Sequence, residues 1–134
     1  MLDIKFIIEN KDKVKDGLAK KGYTDIDIDA LAALHLEINK LKTSSQALAE
    51  EKNRLSNSIK SASAEERPAI IAKSKQFGED LKAEQDKLAA EQEKFNNIML
   101  RMPNLPSPES PVGKDDSENV VRRRVGELPK FDFT

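Results

Sequence analysis

Two runs of residues stepping alternately by three and four, separated by a short polar break, constrain this chain more than anything else in it. The first passes through Leu31, Leu34, Ile38, Leu41, Ser45, Leu48, Lys52, Leu55 and Ile59. The second passes through Ile70, Ser74, Phe77, Leu81, Glu84, Leu88, Glu91, Phe95, Ile98 and Met102. Such a step is the a/d stripe of a helix that buries one narrow seam against a neighbour. Between the runs, Ser61-Ala62-Ser63-Ala64 breaks the stripe, and Ser63 with Glu66 three residues on has the form of a capping box. Two helices of similar length joined by a short polar turn fold back antiparallel.

One register satisfies nearly all of the large apolar residues. Pairing positions that sum to 129 sets Ile59 against Ile70, Leu48 against Leu81, Leu41 against Leu88 and Leu34 against Phe95. The same register brings Ser45 to Glu84 and Ile38 to Glu91, so the middle of the seam is polar. Roughly thirty residues per helix at about 1.5 Å each predict an arm of about 45 Å. Charged residues make up 35% of the chain, aromatics 4%, and Trp is absent. A compact globule needs a larger apolar share, whereas a thin hairpin with one seam does not.

The expected fold is therefore all-α: a long antiparallel two-helix coiled-coil hairpin, with helices over about 28–60 and 65–102. A small helical cap over 1–23 precedes it. In the cap, Asp3 can cap a turn carrying Ile4, Ile7 and Ile8, and Asn10 can cap a helix that buries Val14 and Leu18 and stops at Gly22. Asp27 or Asp29 is the expected N-cap of the first long helix. Domain 1–102 is followed by a connector, 103–134, carrying five of the six prolines, at 103, 106, 108, 111 and 129. Within it, Val120-Val121-Arg122-Arg123-Arg124-Val125 reads as a short strand without a partner in the chain.

No catalytic, cofactor-binding or metal-binding residue is expected. There is no Cys, and the five glycines form no phosphate-cradling loop. His35 stands alone beside the seam, where a structural or solvent-facing role suits it. The carboxylates are spread along amphipathic helices, and Ser44, Ser45 and Ser56 have no base nearby in the pattern. With no signal peptide and no apolar run near 18 residues, the expectation is a cytoplasmic protein with no membrane partner.

Charge distribution says more than the net −1. Residues 41–76, the distal arm, hold seven basic residues against four acidic ones, a net +3. The stem, 24–40 plus 77–102, holds five against ten, a net −5. A basic tip on an acidic stem presents the tip to a polyanion. The same residues also suit an ordinary helix surface laced with i,i+4 ion pairs. Because aromatics are not interleaved with the cations, backbone contact with a structured RNA fits better than stacking on single-stranded bases.

Several short motifs, in order, resemble the N-terminal region of seryl-tRNA synthetases. They are Met1-Leu2-Asp3-Ile4-Lys5 with Glu9-Asn10, Lys52-Asn53-Arg54-Leu55-Ser56 near the tip, and Pro103-Asn104-Leu105-Pro106. Pro111-Val112-Gly113 with Asp115-Asp116 and Asn119-Val120 follows, then Arg122-Arg123 with Gly126-Glu127 and Phe131-Asp132-Phe133. Where that family usually has a Lys after the tip Ser and a Gly ending the first helix, this chain has Asn57-Ser58 and Lys60-Ser61. Where many members carry an aromatic before the Gly at 126, it has Val125.

The resemblance implies a hairpin that reaches across a homodimer to grip the long variable arm and elbow of serine tRNA. It also implies a separate class II catalytic domain that uses ATP and magnesium to charge the tRNA, and that begins about where this chain stops. On that view the 134-residue chain is a non-enzymatic, monomeric fragment of a serine–tRNA ligase, with the parent's catalytic residues outside it. Lys52, Asn53, Arg54, Lys60, Lys73 and Lys75 are the expected tRNA contacts. A different class of function, a structural or chaperone-type hairpin of the prefoldin kind, calls for apolar tips and strands beside the turn. Here the turn is Ser/Ala-rich, and the only strand-like run follows the second helix.

Overall fold

A computed structural model describes residues 2–127 and 132. The expectations that touch Met1, Pro129, Phe131 and Phe133 lie outside the described residues.

Among the described residues four α-helices follow one another: α1 (Ile4–Glu9), α2 (Lys11–Lys20), α3 (Ile28–Ser58) and α4 (Arg67–Arg101). Their ends have local causes. The Asp3 carboxylate accepts from the Lys5 N–H at 2.7 Å and starts α1. Asp27 accepts from the N–H groups of Asp29 and Ala30 and starts α3, supplying partners for donors that a helix leaves unpaired in its first turn. After α2 the chain turns at Gly22, whose φ of +75° is one that glycine adopts without strain. Asn10 differs from expectation. Its side chain makes no cap bond to α2; its Nδ2 donates back to the Phe6 carbonyl at 3.0 Å, closing the end of α1 instead.

The break between α3 and α4 is built as the Ser63/Glu66 pair requires. The Ser63 N–H donates to Glu66 Oε2 at 3.1 Å, and the Glu66 N–H donates to Ser63 Oγ at 3.3 Å. This reciprocal pair is a capping box, and Pro68 sits in the first turn of α4, where its missing N–H costs nothing.

Helices α3 and α4 pack antiparallel along their length. Every seam position named above, from Leu31 to Ile59 and from Ile70 to Met102, is buried or half-buried. Contacts across the pair include Ser44 with Glu84 at 2.7 Å, Ser56 with Ser74 at 3.2 Å, and the His35 ring 5.8 Å from that of Phe95. These pairs sum to 128 or 130, one either side of 129, as residues flanking a seam of that register must. The base of the hairpin is its densest part. Ile7, Val14 and Leu18 from the cap pack with Ile28, Leu31, Met99 and Met102 in one apolar cluster. Each such side chain stabilises the fold by about 1.5–3 kcal/mol when fully buried, so the cap and the stem act as one unit.

One part of the expected fold is overturned. No β-strand exists among the described residues, and Val120–Val125 is irregular and exposed. A strand needs a neighbour to accept and donate its backbone hydrogen bonds, and the described chain offers none there. Among the described residues the regular structure after α4 is instead a single 3-10 turn, Asp116–Glu118, preceded by Asp115, which accepts from the Ser117 N–H and hydroxyl.

Candidate nucleic-acid interface

The hairpin holds its charged tip away from the apolar cluster at its base. Lys52, on the seam itself, is half-buried, whereas Asn53, Arg54, Lys60, Lys73 and Lys75 are exposed. The six expected contact residues thus all lie on the distal part of the arm, three of them consecutive on α3, two on α4 and Lys60 in the turn.

Lys52 shows how a cation occupies an apolar seam. A Cβ built on Gly78 would lie 3.7 Å from Lys52 Cε and 3.9 Å from its Nζ. The Lys52 stem therefore runs across the bare backbone of α4, covering apolar surface, and carries its ammonium towards solvent. The spacing of the seam alone does not single out Gly78. A glycine inside a strongly helical segment, opposite a charged seam position, is the signal that finds it.

The remaining cations differ in how far they are engaged. Arg54 donates to Glu51 at 2.7 Å, and Lys75 lies 3.9 Å from Glu79. Arg54, Lys75 and Glu79 are exposed and Glu51 is half-buried; pairs at such a surface are worth about 0–1 kcal/mol, so a phosphate can replace the carboxylate at little cost. For Lys52, Lys60 and Lys73 there is no ion pair among the described residues. The tip also carries the capping carboxylate Glu66, which the Ser63 hydroxyl and N–H hold below the usual glutamate range. It is tied into the turn and faces its own helix start.

Nothing at the tip is arranged for bond-making chemistry. Among the described residues no three His, Cys, Asp or Glu side chains converge to hold a metal ion. The one imidazole, His35, is on the stem, where it hydrogen-bonds Asn39 and packs on Phe95. No helix of the described residues is long and apolar enough to cross a membrane. What the tip offers is placed cations and amides on a rigid support, the chemistry of sugar–phosphate recognition.

At the other end, the connector docks on the cap. Gly17 is buried in α2, and a Cβ there would come within 2.5 Å of Leu105 Cδ2. A cavity of about 720 Å³ lies beside this contact, between Lys13, Lys20 and Tyr23 of the cap side and Pro106, Pro108 and Pro111 of the connector.

Comparison with known proteins places these features. The family described as the seryl-tRNA synthetase N-terminal domain matches residues 1–106. The serine–tRNA ligase of Deinococcus radiodurans is 42% identical over 134 residues, covering 100% of this chain and 31% of that protein. That of Burkholderia cenocepacia is 37% identical over 135 residues, covering 99% of this chain and 31% of that protein. Among solved structures, that of seryl-tRNA synthetase from Pyrococcus horikoshii complexed with ATP superposes with a TM-score of 0.77 at 29% identity, covering 90% of this chain and 28% of that one. The chain thus spans under a third of the length of these relatives. With the hairpin, its cap and most of its length all accounted for by one family, the chain belongs to the seryl-tRNA synthetase N-terminal domain family.

Proposed function

We propose that this chain is the tRNA-grasping arm of a serine–tRNA ligase. Its tip holds the long variable arm and elbow of serine tRNA so that a catalytic domain of the same protein can attach serine. The observation that carries this reading is a net +3 tip on a net −5 stem, supported by an antiparallel hairpin in a chain of this family. Attraction at one end and repulsion along the rest orient a polyanion without any base-specific contact.

Lys52, Asn53, Arg54, Lys60, Lys73 and Lys75 are the residues proposed to touch phosphate and sugar. Residues 1–102 form the arm and 103–134 the connector leading to the class II domain. ATP and magnesium chemistry belongs with that domain. The described residues offer no converging donor set for magnesium, so no step of serine activation is assigned to them. The parent acts in the cytoplasm as a homodimer, the arm of one subunit reaching the tRNA charged by its partner, while this chain alone is a monomer.

Filter binding of the chain to a serine tRNA transcript, with a short-variable-arm tRNA as control, tests the reading. Binding should favour the long variable arm and should weaken linearly on a log–log plot as salt rises. Replacing Lys52, Arg54 and Lys60 together by Ala should abolish binding with helicity unchanged by circular dichroism. Equal binding to the two tRNAs would end the proposal.

A further inference from the structure

The two broad sides of the hairpin are chemically unlike. In an antiparallel pair, positions e and b of both helices share one side of the seam, and g and c share the other. The observed contacts follow this division. Ser56 with Ser74, His35 with Phe95 and Lys52 with Gly78 lie on the e side, and Ser44 with Glu84 lies on the g side.

Between Ala32 and Met99 there are eleven acidic residues in 68 positions, so an even spread would put about three on the 18 positions of the e side. There are none. Lys42, Lys60, Lys75 and Lys82 stand there instead, all exposed, interleaved with side-chain amides such as Gln46, Asn53 and Gln85. The g side carries Glu37, Glu51 and Asp80 among Lys40, Arg54, Lys73, Lys87 and Lys94. Glu37 and Glu51 are paired with Lys40 and Arg54, and Lys94 with Glu91 of the seam, so this side differs in holding acids and not in lacking lysines. On the e side only Lys75 has a carboxylate partner, Glu79 on the outer edge of α4. Lys42, Lys60 and Lys82 have none among the described residues. Gly78 belongs to this side as well, and its missing side chain is what gives Lys52 room to emerge there.

We propose that RNA lies along this acid-free side of the hairpin, and that Lys42, at the inner end of the distal arm, and Lys82, on the stem, are further contact residues. The inference rests on the proposed function, adds to it a direction and two residues, and narrows its six contacts to Lys52, Asn53, Lys60 and Lys75, since Arg54 and Lys73 stand on the other side. Its physical basis is that a carboxylate facing a phosphate repels it, whereas an unpaired ammonium binds it without breaking an ion pair. The amides between the lysines donate to phosphate and ribose oxygens. From Lys60 back to Lys42 the side runs for about 27 Å, so the RNA strand tracks the arm instead of touching only its end.

Two matched charge reversals test it in the 134-residue chain. Lys42→Glu with Lys82→Glu alters the acid-free side; Lys40→Glu with Lys87→Glu alters the opposite side at a similar distance from the tip. Each lowers the net charge by four, so general electrostatics change equally. With a long-variable-arm serine tRNA transcript at fixed salt, the first pair should raise Kd at least ten-fold and the second less than three-fold. Equal losses, or a larger loss from the second pair, overturn the sidedness. Should either pair reduce helicity, the corresponding Lys→Gln pairs take its place, with a smaller difference of the same sign. If the unaltered chain binds long- and short-variable-arm tRNA equally, the proposed function fails. The comparison of sides is then still read on whichever RNA is bound, and equal losses there overturn the inference separately.

Discussion

At the scale of single residues, Asp29 in the first turn of α3 joins two elements. Its two carboxylate oxygens accept from Lys11 Nζ at 2.8 Å and Lys15 Nζ at 2.6 Å, pinning α2 to the start of α3. The hydrogen bond from Lys11, then that from Lys15, lowers the Asp29 carboxyl from 3.8 to about 2, and the same contact raises Lys15. A carboxyl held lower in the folded state stabilises that state fully above its ordinary value, and the contribution is lost as pH falls from about 4 through about 2. Melting temperatures of the parent chain and Asp29→Asn should therefore converge as pH drops from 5 to 2; parallel curves would show that the contact is energetically idle. Ser45 works in the opposite direction. It is 7% exposed in the seam, and its hydroxyl finds no hydrogen-bond partner. Ser45→Ala removes an unpaired polar atom of nearly the same size and should stabilise the chain by about 1 kcal/mol in urea denaturation.

At the scale of elements, the hairpin depends on where α3 is allowed to stop and α4 to start. The stripe lapses between Ile59 and Ile70, but a lapse in the stripe does not by itself end a helix. What ends it is the capping box, because Ser63 and Glu66 satisfy N–H groups that a continuous helix would have satisfied with its own carbonyls. Glu66→Ala should cost about 1 kcal/mol of stability, read by chemical denaturation with the folded helicity unchanged. A stability equal to that of the unaltered chain would assign the turn to Pro68 and the seam alone. The lowered carboxyl of Glu66 adds that this contribution, too, fades in acid.

At the scale of the whole molecule, shape and charge are coupled by the position of the apolar mass. The cap closes over one end of the seam, so the fold is anchored at Ile7, Val14, Leu31 and Met102, far along the arm from its basic tip. Helix α4 alone, 35 residues long, extends about 52 Å. A compact globule of this length has a radius of gyration of about 14 Å; small-angle scattering should return a value several ångströms larger, with an asymmetric distance distribution. A value near 14 Å would mean that the arm folds back on its cap, and the separation of tip and base would be lost.

Much of this was already written in residue spacing. The a/d step, the Ser63/Glu66 box, Asp3 as a cap, Asp27 as one of two candidate caps and the register near 129 follow from local or periodic patterns, and helices obey local and periodic rules. The charge contrast between tip and stem follows from the same reading, because folding at residues 61–64 brings 53–60 beside 69–76, and residues 53–76 hold five basic residues against two acidic ones. The strand over 120–125 was misread because β structure is not local: valines and arginines in alternation describe a strand only when another strand is present to pair with it. Asn10 does stand at the N-cap of α2, but its side chain bonds back to α1, because one side-chain amide can serve either of two abutting helix ends and only the packed geometry chooses. The sidedness of the hairpin lies between these cases. The e positions can be counted in the sequence, but which of them share a side depends on the two helices being antiparallel and packed. Likewise, that Lys52 crosses at Gly78 depends on two residues 26 apart meeting across a seam. Sequence alone determined what each helix would bury; tertiary contact decided which charges would stand together, because neighbours across a seam are set by packing and not by order along the chain.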